Sequence, residues 1–254
     1  DGEGRLSSCG SDPMQEGLLG HGDGVPQLNT PTRLPSPLGG ERAVSVAAGA
    51  GHSLALTASG SVWSWGRGED GKLGHGDRQS QPLPEKVEAL AGQRVVAVSA
   101  GREYSLAITA DGSVWSWGHG GWGVLGHGDR QKQLLPKKIE ALAGQRVVAV
   151  SAGDDHSLAL TAGGAVWSWG HQNQLLPNKV EAFAGQCVVA VSAGTAHSLA
   201  ITADGEVWSW GYGANDRLGH GDEQSQLLPK KIDALAGQRV VAVSAGRRHS
   251  IAAT

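Results

Sequence analysis

The five residues VWSWG decide the fold, because the chain repeats them in four places, at 62–66, 114–118, 166–170 and 207–211. These copies hold eight of the nine tryptophans. The two indoles of each copy stand two residues apart, so on a β-strand they point to the same face. The chain therefore contains an internal repeat, and each repeat commits two large aromatic side chains to one face of a strand.

A second marker, of the form VSAGxxHS, fixes the period of the repeat. The residue before its last serine is His52, Tyr104, His156, His197 or His249, at intervals of 52 residues except for one of 41. The short interval falls where the third copy reads GHQNQ and other copies carry a longer loop that ends in GHGD. The third copy has thus lost about eleven residues from one loop, which a surface connection tolerates.

Each repeat predicts four β-strands, which in the second copy are 95–101, 105–109, 113–118 and 134–142. The segments are short, rich in β-branched residues and separated by turn signals such as Asp111-Gly112. The runs VVAV and LALT are apolar at nearly every position, so both faces of each sheet must be covered. A radial array of sheets achieves this, and the sequence predicts an all-β, single-domain β-propeller of four-stranded antiparallel blades spanning 1–254.

Four internal blades are predicted at 43–90, 95–142, 147–183 and 188–235. The tryptophans are predicted to fill the space between neighbouring blades as structural core, in preference to a cofactor or ligand role, and no cofactor is expected. These core residues are Trp63, Trp65, Trp115, Trp117, Trp167, Trp169, Trp208 and Trp210.

The two ends of the chain predict one further blade, made of 240–254 with 1–38. The start of the chain reads like the third strand of a repeat, with Leu6 in the place of Val114 and Ser8 in the place of Ser116. Leu34-Pro35 is matched to the outer strand. The prediction is therefore five blades, closed by a two-plus-two seam of N- and C-terminal strands; the alternative is part of a seven-bladed ring.

The pattern AGxxHSLALTxDGxVWSWGxGxxGxLGHGD, followed by LPxKIxAL, resembles the repeat of the regulator of chromosome condensation family. It is most similar to the repeats of the giant HECT-type ubiquitin ligases, and the resemblance covers nearly the whole chain. The family's fold is a β-propeller, normally with seven blades, which would need about 364 residues at this period. Its members include nucleotide exchange factors for a small GTPase, ultraviolet-B photoreceptors and modules that hold protein partners.

The resemblance allows each of these functions to be compared with the residues. The exchange factors use a β-wedge insertion, and no repeat here contains an extra segment of that kind. The photoreceptors carry tryptophan in the turn before the second strand, where this chain has Ala50, Arg102, Asp154, Thr195 and Arg247. A non-catalytic protein-interaction module or assembly subunit is therefore predicted, with exchange activity as an alternative.

That turn is also the candidate binding site, because it varies while the residues around it recur. It reads AG, RE, DD, TA and RR in the successive copies, and equivalent turns of a propeller lie around one face. Charged rims of this kind suit recognition of a specific protein. The predicted partner-binding residues are Arg102, Glu103, Tyr104, Asp154, Asp155, Arg247 and Arg248.

Enzymatic and metal functions are less favoured by the sequence. Glycosidase chemistry needs two convergent carboxylates, whereas Asp154 and Asp155 are adjacent and tend to diverge. A glycan-binding or glycosidase propeller remains an alternative, with Trp122 as a possible glycan contact. A ring of the marker histidines could bind zinc, but buried imidazoles bonded to nearby backbone are preferred, and no metal site is expected. The GHGD histidines are assigned to tight turns in which the aspartate accepts backbone N–H bonds.

Composition limits the partners further. The formal net charge is −3, from 21 basic and 24 acidic residues, which gives no reason to expect a nucleic acid as partner. No apolar run is long enough to form a transmembrane segment. No signal peptide or disulfide framework is visible, and this favours an intracellular location, although the sequence does not identify the compartment.

Overall fold

The computed structural model describes residues 4–35, 38–171 and 174–254. Parts of the predicted seam (1–3 and 36–37) and of the third predicted blade (172–173) lie outside these residues. Within them the chain forms four four-stranded antiparallel sheets and two two-stranded antiparallel sheets. The prediction of four-stranded antiparallel sheets is therefore confirmed.

The four-stranded sheets follow each other along the chain, and each is a meander of consecutive strands. Blade 1 consists of β3 (Ala43–Ala48), β4 (His52–Thr57), β5 (Val62–Gly66) and β6 (Gln81–Lys86). Blade 2 consists of β7 (Val95–Ala100), β8 (Tyr104–Thr109), β9 (Val114–Gly118) and β10 (Gln133–Lys138). Blade 3 consists of β11 (Val147–Ala152), β12 (Ser157–Thr161), β13 (Val166–Trp169) and β14 (Asn178–Lys179). Blade 4 consists of β15 (Val188–Ala193), β16 (His197–Thr202), β17 (Val207–Gly211) and β18 (Gln226–Lys231).

The outer strands end earlier than the sequence predicted. In blade 2 the predicted strand 134–142 stops at Lys138, and Glu140–Leu142 forms a 3₁₀ turn that buries the side chain of Leu142. Pro136 lies inside the strand, where the register shifts between Gln133 and Lys137. Because β10 is the edge strand of its sheet, the missing N–H of the proline is tolerated at this bulge.

In the N-terminal strands, the predicted alignment with the other repeats is confirmed at Leu6 and is wrong at Leu34. Strands β1 (Ser7–Ser11) and β2 (Gln27–Arg33) pair with each other. Leu34 N donates to Leu6 O at 3.0 Å, just as Val87 N donates to Val62 O at 2.9 Å. Leu6 therefore holds the place of the VWSWG valine, as predicted, but Leu34 corresponds to Val87 and not to the leucine of the outer-strand Leu-Pro pair.

The C-terminal strands β19 (Ala242–Ala245) and β20 (Ser250–Ala253) form a separate two-stranded sheet. In the described part of the chain, each of the two terminal sheets pairs only within itself. The two-plus-two seam and the count of five blades therefore remain predictions.

The strands pack into two compact units. The first unit runs to Gly121 and includes Gln131–Ile139; the second comprises Trp122–Arg130 and Glu140–Thr254. The expectation of a single domain, 1–254, stays a prediction. No helix in the described residues is long and apolar enough to cross a membrane, since their helical segments are 3₁₀ turns of three residues.

In blades 2 and 4, the tryptophans of the third strand lie between two blades of the same unit. Trp117 is 0% exposed and clusters with Leu54 and Leu56 of blade 1, and half-buried Trp115 packs on the same cluster. In the second unit, Trp210 joins Leu158 of blade 3 in an equivalent cluster. In all four pairs the second indole is buried and the first is half-buried. In blades 2 and 4 the third strand thus fills the gap next to the preceding blade.

Candidate functional site

The candidate binding turns and the long Gly-rich loops lie at the same end of each blade. In blade 2, Tyr104 at the start of the second strand pairs with Gly118 at the end of the third strand. The turn before β8 and the loop after β9 are therefore neighbours, and His119 N donates to Glu103 O at 2.9 Å. We call this end of the blades the loop end.

Buried histidines at the loop end connect neighbouring blades. His52 Nε2 lies 2.9 Å from Ser105 Oγ, and Ser105 Oγ donates to Lys72 O at 2.9 Å. His197 and Ser250 repeat this arrangement in the second unit, at 3.0 Å. Because the single hydroxyl hydrogen of Ser105 goes to the carbonyl, Nε2 of His52 must carry its own hydrogen and donate to the serine. Each histidine thus bonds to a serine of the next sheet.

Burial keeps these imidazoles neutral. Loss of hydration lowers the pKa of His52 to about 3, and the positive charge of Lys72 lowers it further. Burial likewise lowers the pKa of His156 to about 3 and that of His197 to about 4. The preferred interpretation as buried imidazoles therefore agrees with the structure, but the bonding partner is a serine hydroxyl and not the backbone. His249, the fourth marker histidine, is exposed and does not share this buried environment. The expected absence of a metal site stays a prediction.

Of the predicted partner-binding residues in the first unit, two lie at the surface and one is buried in the core. Arg102 is exposed, and Glu103 is partly exposed and pairs with Lys72, whose side chain is 0% exposed. Tyr104 is 1% exposed, because it takes the position that histidine holds in the other copies. Its predicted place in an exposed rim is therefore wrong.

The other predicted residues lie in the second unit. Asp154 and Asp155 are half-buried in the turn before β12, whereas Arg247 and Arg248 are exposed. Arg217, which is 6% exposed, lies beneath the latter turn: its Nη1 donates to Arg247 O at 3.1 Å, and its guanidinium lies 5.0 Å from the ring centre of Tyr212. The turn that carries the two arginines thus rests on a third, buried arginine.

Sequence reasoning missed the residues that support the turns. Lys72 and Arg217 occupy the variable position before leucine in the segment xLGHGD, where the second copy has Val124. Variation at one place inside an otherwise repeated loop was the available signal. Its partner in the next blade could not be found from sequence, because Lys72 and Glu103 are 31 residues apart.

The GHGD loops are fixed by the central serine of VWSWG. Ser64 Oγ donates to Leu73 O at 2.8 Å and lies 2.9 Å from His75 Nε2. The same serine, carbonyl and histidine contacts recur at Ser209 and, through Ser8, in the N-terminal sheet. The predicted role of the aspartate is confirmed in two loops: Asp77 accepts from Gln79 N at 3.0 Å, and Asp222 accepts from Gln224 N at 2.9 Å.

Blade 3, which lacks this loop, has a cavity at the corresponding place. The cavity has a volume of about 500 Å³ and lies between blade 3 and blade 4, both in the second unit. Its lining includes Ser168, Ser198, Trp210, Tyr212 and Leu227. In contrast, Trp122 is 59% exposed on the intact loop of blade 2, and its glycan-binding role stays a prediction.

The family model of the RCC1-like domain matches residues 4–252 of this chain. The chain belongs to the RCC1-like domain family. The resemblance noted in the sequence and the β-propeller fold are thereby confirmed.

Two relatives and one solved structure show how this RCC1-like domain compares with longer proteins. The human E3 ubiquitin-protein ligase HERC2 is 40% identical over 254 residues, which are 99% of this chain and 4% of HERC2. The ultraviolet-B receptor UVR8 of Arabidopsis thaliana is 39% identical over 82% of this chain and 38% of UVR8. The structure of Prp20p from Saccharomyces cerevisiae has a TM-score of 0.85 and 25% identity, over 98% of this chain and 64% of Prp20p. The chain therefore spans less than two thirds of each of these proteins.

Proposed function

We propose that this RCC1-like domain is a non-catalytic module that binds a partner protein through the loop end of its blades. The observation that carries the proposal is the contrast between a repeated frame and unrepeated turns. The histidine–serine bonds recur from sheet to sheet, whereas the turns above them differ in charge and present exposed Arg102, Arg247 and Arg248. A rigid frame that displays different side chains suits recognition of one partner among many.

The arginine pair of the second unit supports the proposal most directly. Arg217 holds the backbone of this turn from below, so that the exposed side chains of Arg247 and Arg248 are displayed from a supported position. Guanidinium groups bind carboxylates with two parallel hydrogen bonds, and arginine is enriched at binding hot spots. Among the relatives, Prp20p has been described with its binding to Gsp1p and histones, which is consistent with protein binding by this family. The expected absence of a nucleic-acid ligand stays a prediction.

Charge reversal at this turn tests the proposal. The double variant R247E/R248E and wild-type protein are used as baits, and the captured proteins are quantified by mass spectrometry. Its control is R146E/R239E, which makes the same change in charge at exposed positions one residue before β11 and three residues before β19, at the opposite end of the sheets. We expect the first variant to lose a partner that the control retains. Equal recovery by both variants would exclude this turn as the binding surface.

A further inference from the structure

The intact loop of the second copy shows how such a loop docks on a sheet of its own unit. The loop segment Trp122–Arg130 packs within the second unit. Val124 O accepts hydrogen bonds from Ser157 Oγ at 2.9 Å and from Trp169 Nε1 at 2.7 Å, and Leu125 is 1% exposed. The loop thus docks through one buried leucine and a backbone carbonyl that binds two side-chain donors.

Positions 123 and 126, on the two sides of this leucine, must be glycine, because a side chain there would collide with Leu175 or Trp169. A Cβ atom at Gly123 would lie 2.7 Å from Leu175 Cδ2, and one at Gly126 would lie 3.0 Å from Trp169 Nε1. Both glycines also have positive φ, 79° and 76°. The gap therefore selects a leucine between small residues in a tight turn.

The cavity of blade 3 presents the counterparts of these donors. Ser198 and Trp210 hold the places that Ser157 and Trp169 hold one blade earlier, and both line the cavity. Ser168 is half-buried, whereas the equivalent Ser64, covered by its loop, is 0% exposed. The serine and indole groups that bind a loop in the other blades thus line this cavity, as Ser198 and Trp210 do, or are partly exposed, as Ser168 is.

An apolar surface continues from the cavity on blade 4. Leu227 is 78% exposed. Leu228 is 69% exposed, whereas Leu135, which holds the place of Leu228 in blade 2, is 49% exposed. In the first unit, Gly76 N of the intact loop donates to Leu134 O at 3.0 Å, at the place equivalent to Leu227. The cavity volume of about 500 Å³ lies within the usual range of about 300–1,000 Å³ for ligand sites.

We propose that the cleft between blade 3 and blade 4 binds a Gly-x-Leu-Gly segment of a partner protein, in the position of the missing loop. The leucine would fill the cavity, a carbonyl before it would accept from Ser198 Oγ and Trp210 Nε1, and the leucine carbonyl would accept from Ser168 Oγ. The inference rests on the proposed function only in that the ligand is a protein segment. It concerns a different part of the loop end from Arg247 and Arg248.

Binding of a short peptide tests this inference. The probe is acetyl-Gly-Val-Leu-Gly-His-Gly-Asp-amide, the sequence of residues 123–129, titrated into ¹⁵N-labelled full chain while the indole N–H signals are recorded by NMR. We expect saturable binding that shifts the Trp210 indole signal. A probe with alanine in place of leucine is expected to bind at least about tenfold more weakly, because the buried apolar side chain is lost. No saturation at millimolar probe would overturn the inference.

The matched protein control restores the loop. Residues 120–130 of the second copy are inserted after His171, which gives blade 3 a loop of the same length as that of blade 2. This variant is expected to lose probe binding, and equal binding by it would contradict the proposed position. Should the insertion prevent folding, Ser168→Ala provides the second variant, with binding weakened at least about threefold by loss of one hydrogen bond; unchanged affinity would also count against the site.

The two proposals can fail independently. R247E/R248E should bind the probe as wild type does, because neither arginine lines this cavity. Loss of probe binding only in the loop-restored variant supports the cleft, whatever the outcome of the partner capture. Conversely, partner loss in R247E/R248E together with no probe binding by wild type would retain the proposed function and reject the cleft as a peptide site. Binding that appears only with formation of dimers would assign the cleft to a second copy of the chain and reject the inference.

Discussion

The buried histidines link the stability of this RCC1-like domain to pH. Each side chain lies within the fold with Nε2 bonded to a serine of the next sheet, and each has a native pKa far below its usual value of 6.5. Below pH 6.5 the unfolded chain binds protons at these sites and the native chain does not. Their contribution to stability is therefore complete above pH 6.5 and is lost as the pH falls towards the native pKa values of about 3 to 4.

We expect the free energy of unfolding to decrease between pH 7 and pH 5, with each buried histidine raising the unfolding equilibrium constant by up to about tenfold per pH unit. His52→Gln should flatten this dependence, because the side chain that protonates on unfolding is removed. The slopes are measured by urea unfolding at a series of pH values, and an unchanged slope in His52→Gln would contradict the mechanism.

Single residues also show where the repeat predicts structure and where it does not. Because Tyr104 occupies the histidine position, its burial could have been inferred from the repeat, and it was assigned to the surface because neighbouring turn residues were charged. The serine that accepts from each histidine could not be assigned, since His52 and Ser105 belong to different sheets. Sequence equivalence therefore predicts the class of position, whereas contacts between repeats require the fold.

A buried charge on a loop of blade 1 links two connections between strands. Lys72 lies on the loop after β5, and its fully buried ammonium pairs with Glu103 in the turn before β8. A buried ammonium without its partner is costly, because it has lost its hydration. This pair therefore joins a loop of one blade to the turn of the next.

Glu103→Gln should lower the free energy of unfolding by about 1–3 kcal/mol, less than for a fully buried pair because the glutamate is partly exposed. The double variant Lys72→Met/Glu103→Gln should recover most of this loss, because no charge is then buried. The control is Glu181→Gln, whose pair with Lys179 is exposed at 46% and 72% and should matter by less than about 0.5 kcal/mol. Denaturant unfolding measures all three, and similar effects of the two single variants would refute the assignment.

At the level of elements, periodicity predicted the strands and local geometry set their ends. Three strands of blade 2 begin and end within one residue of the prediction. Turn residues such as Asp111-Gly112 mark the ends of these strands in the sequence. The outer strand was predicted too long, because Ile139 and Leu142 look like strand residues. Ile139 is buried just before the 3₁₀ turn Glu140–Leu142, and Leu142 is buried as its last residue. A buried apolar residue satisfies either geometry, so composition alone could not locate the end.

For the molecule as a whole, repetition predicted the fold class correctly, whereas its prediction of five blades stays a prediction. The similarity of Ser8 to the other VWSWG serines extends to their hydrogen bonds, so the N-terminal strand is a third strand of a repeat. The repeat does not show which strands pair with this N-terminal sheet, because the edge strands of all copies have similar sequences and can pair with any copy. The composite blade thus depends on information that repeated strands do not contain.

Two packing clusters each lie within a single unit, which makes the cooperativity of the molecule testable. Trp117 clusters with side chains of blades 1 and 2, and Trp210 with side chains of blades 3 and 4. In repeat proteins, stability is approximately the sum of repeat energies and nearest-neighbour interfaces. Loss of one indole should therefore weaken its own unit more than the other.

Trp117→Leu is expected to remove about 2–4 kcal/mol of stabilisation by leaving a cavity, and to accelerate amide hydrogen exchange in β4 and β8 while β12 and β16 stay protected. Trp210→Leu should produce the opposite distribution, because its contacts lie in the other unit. Trp122→Leu, at a site 59% exposed, controls for loss of an indole as such and should change neither region. Uniform loss of protection in both units after either core substitution would show that the chain unfolds as one cooperative body, and nearest-neighbour packing would then not describe its stability.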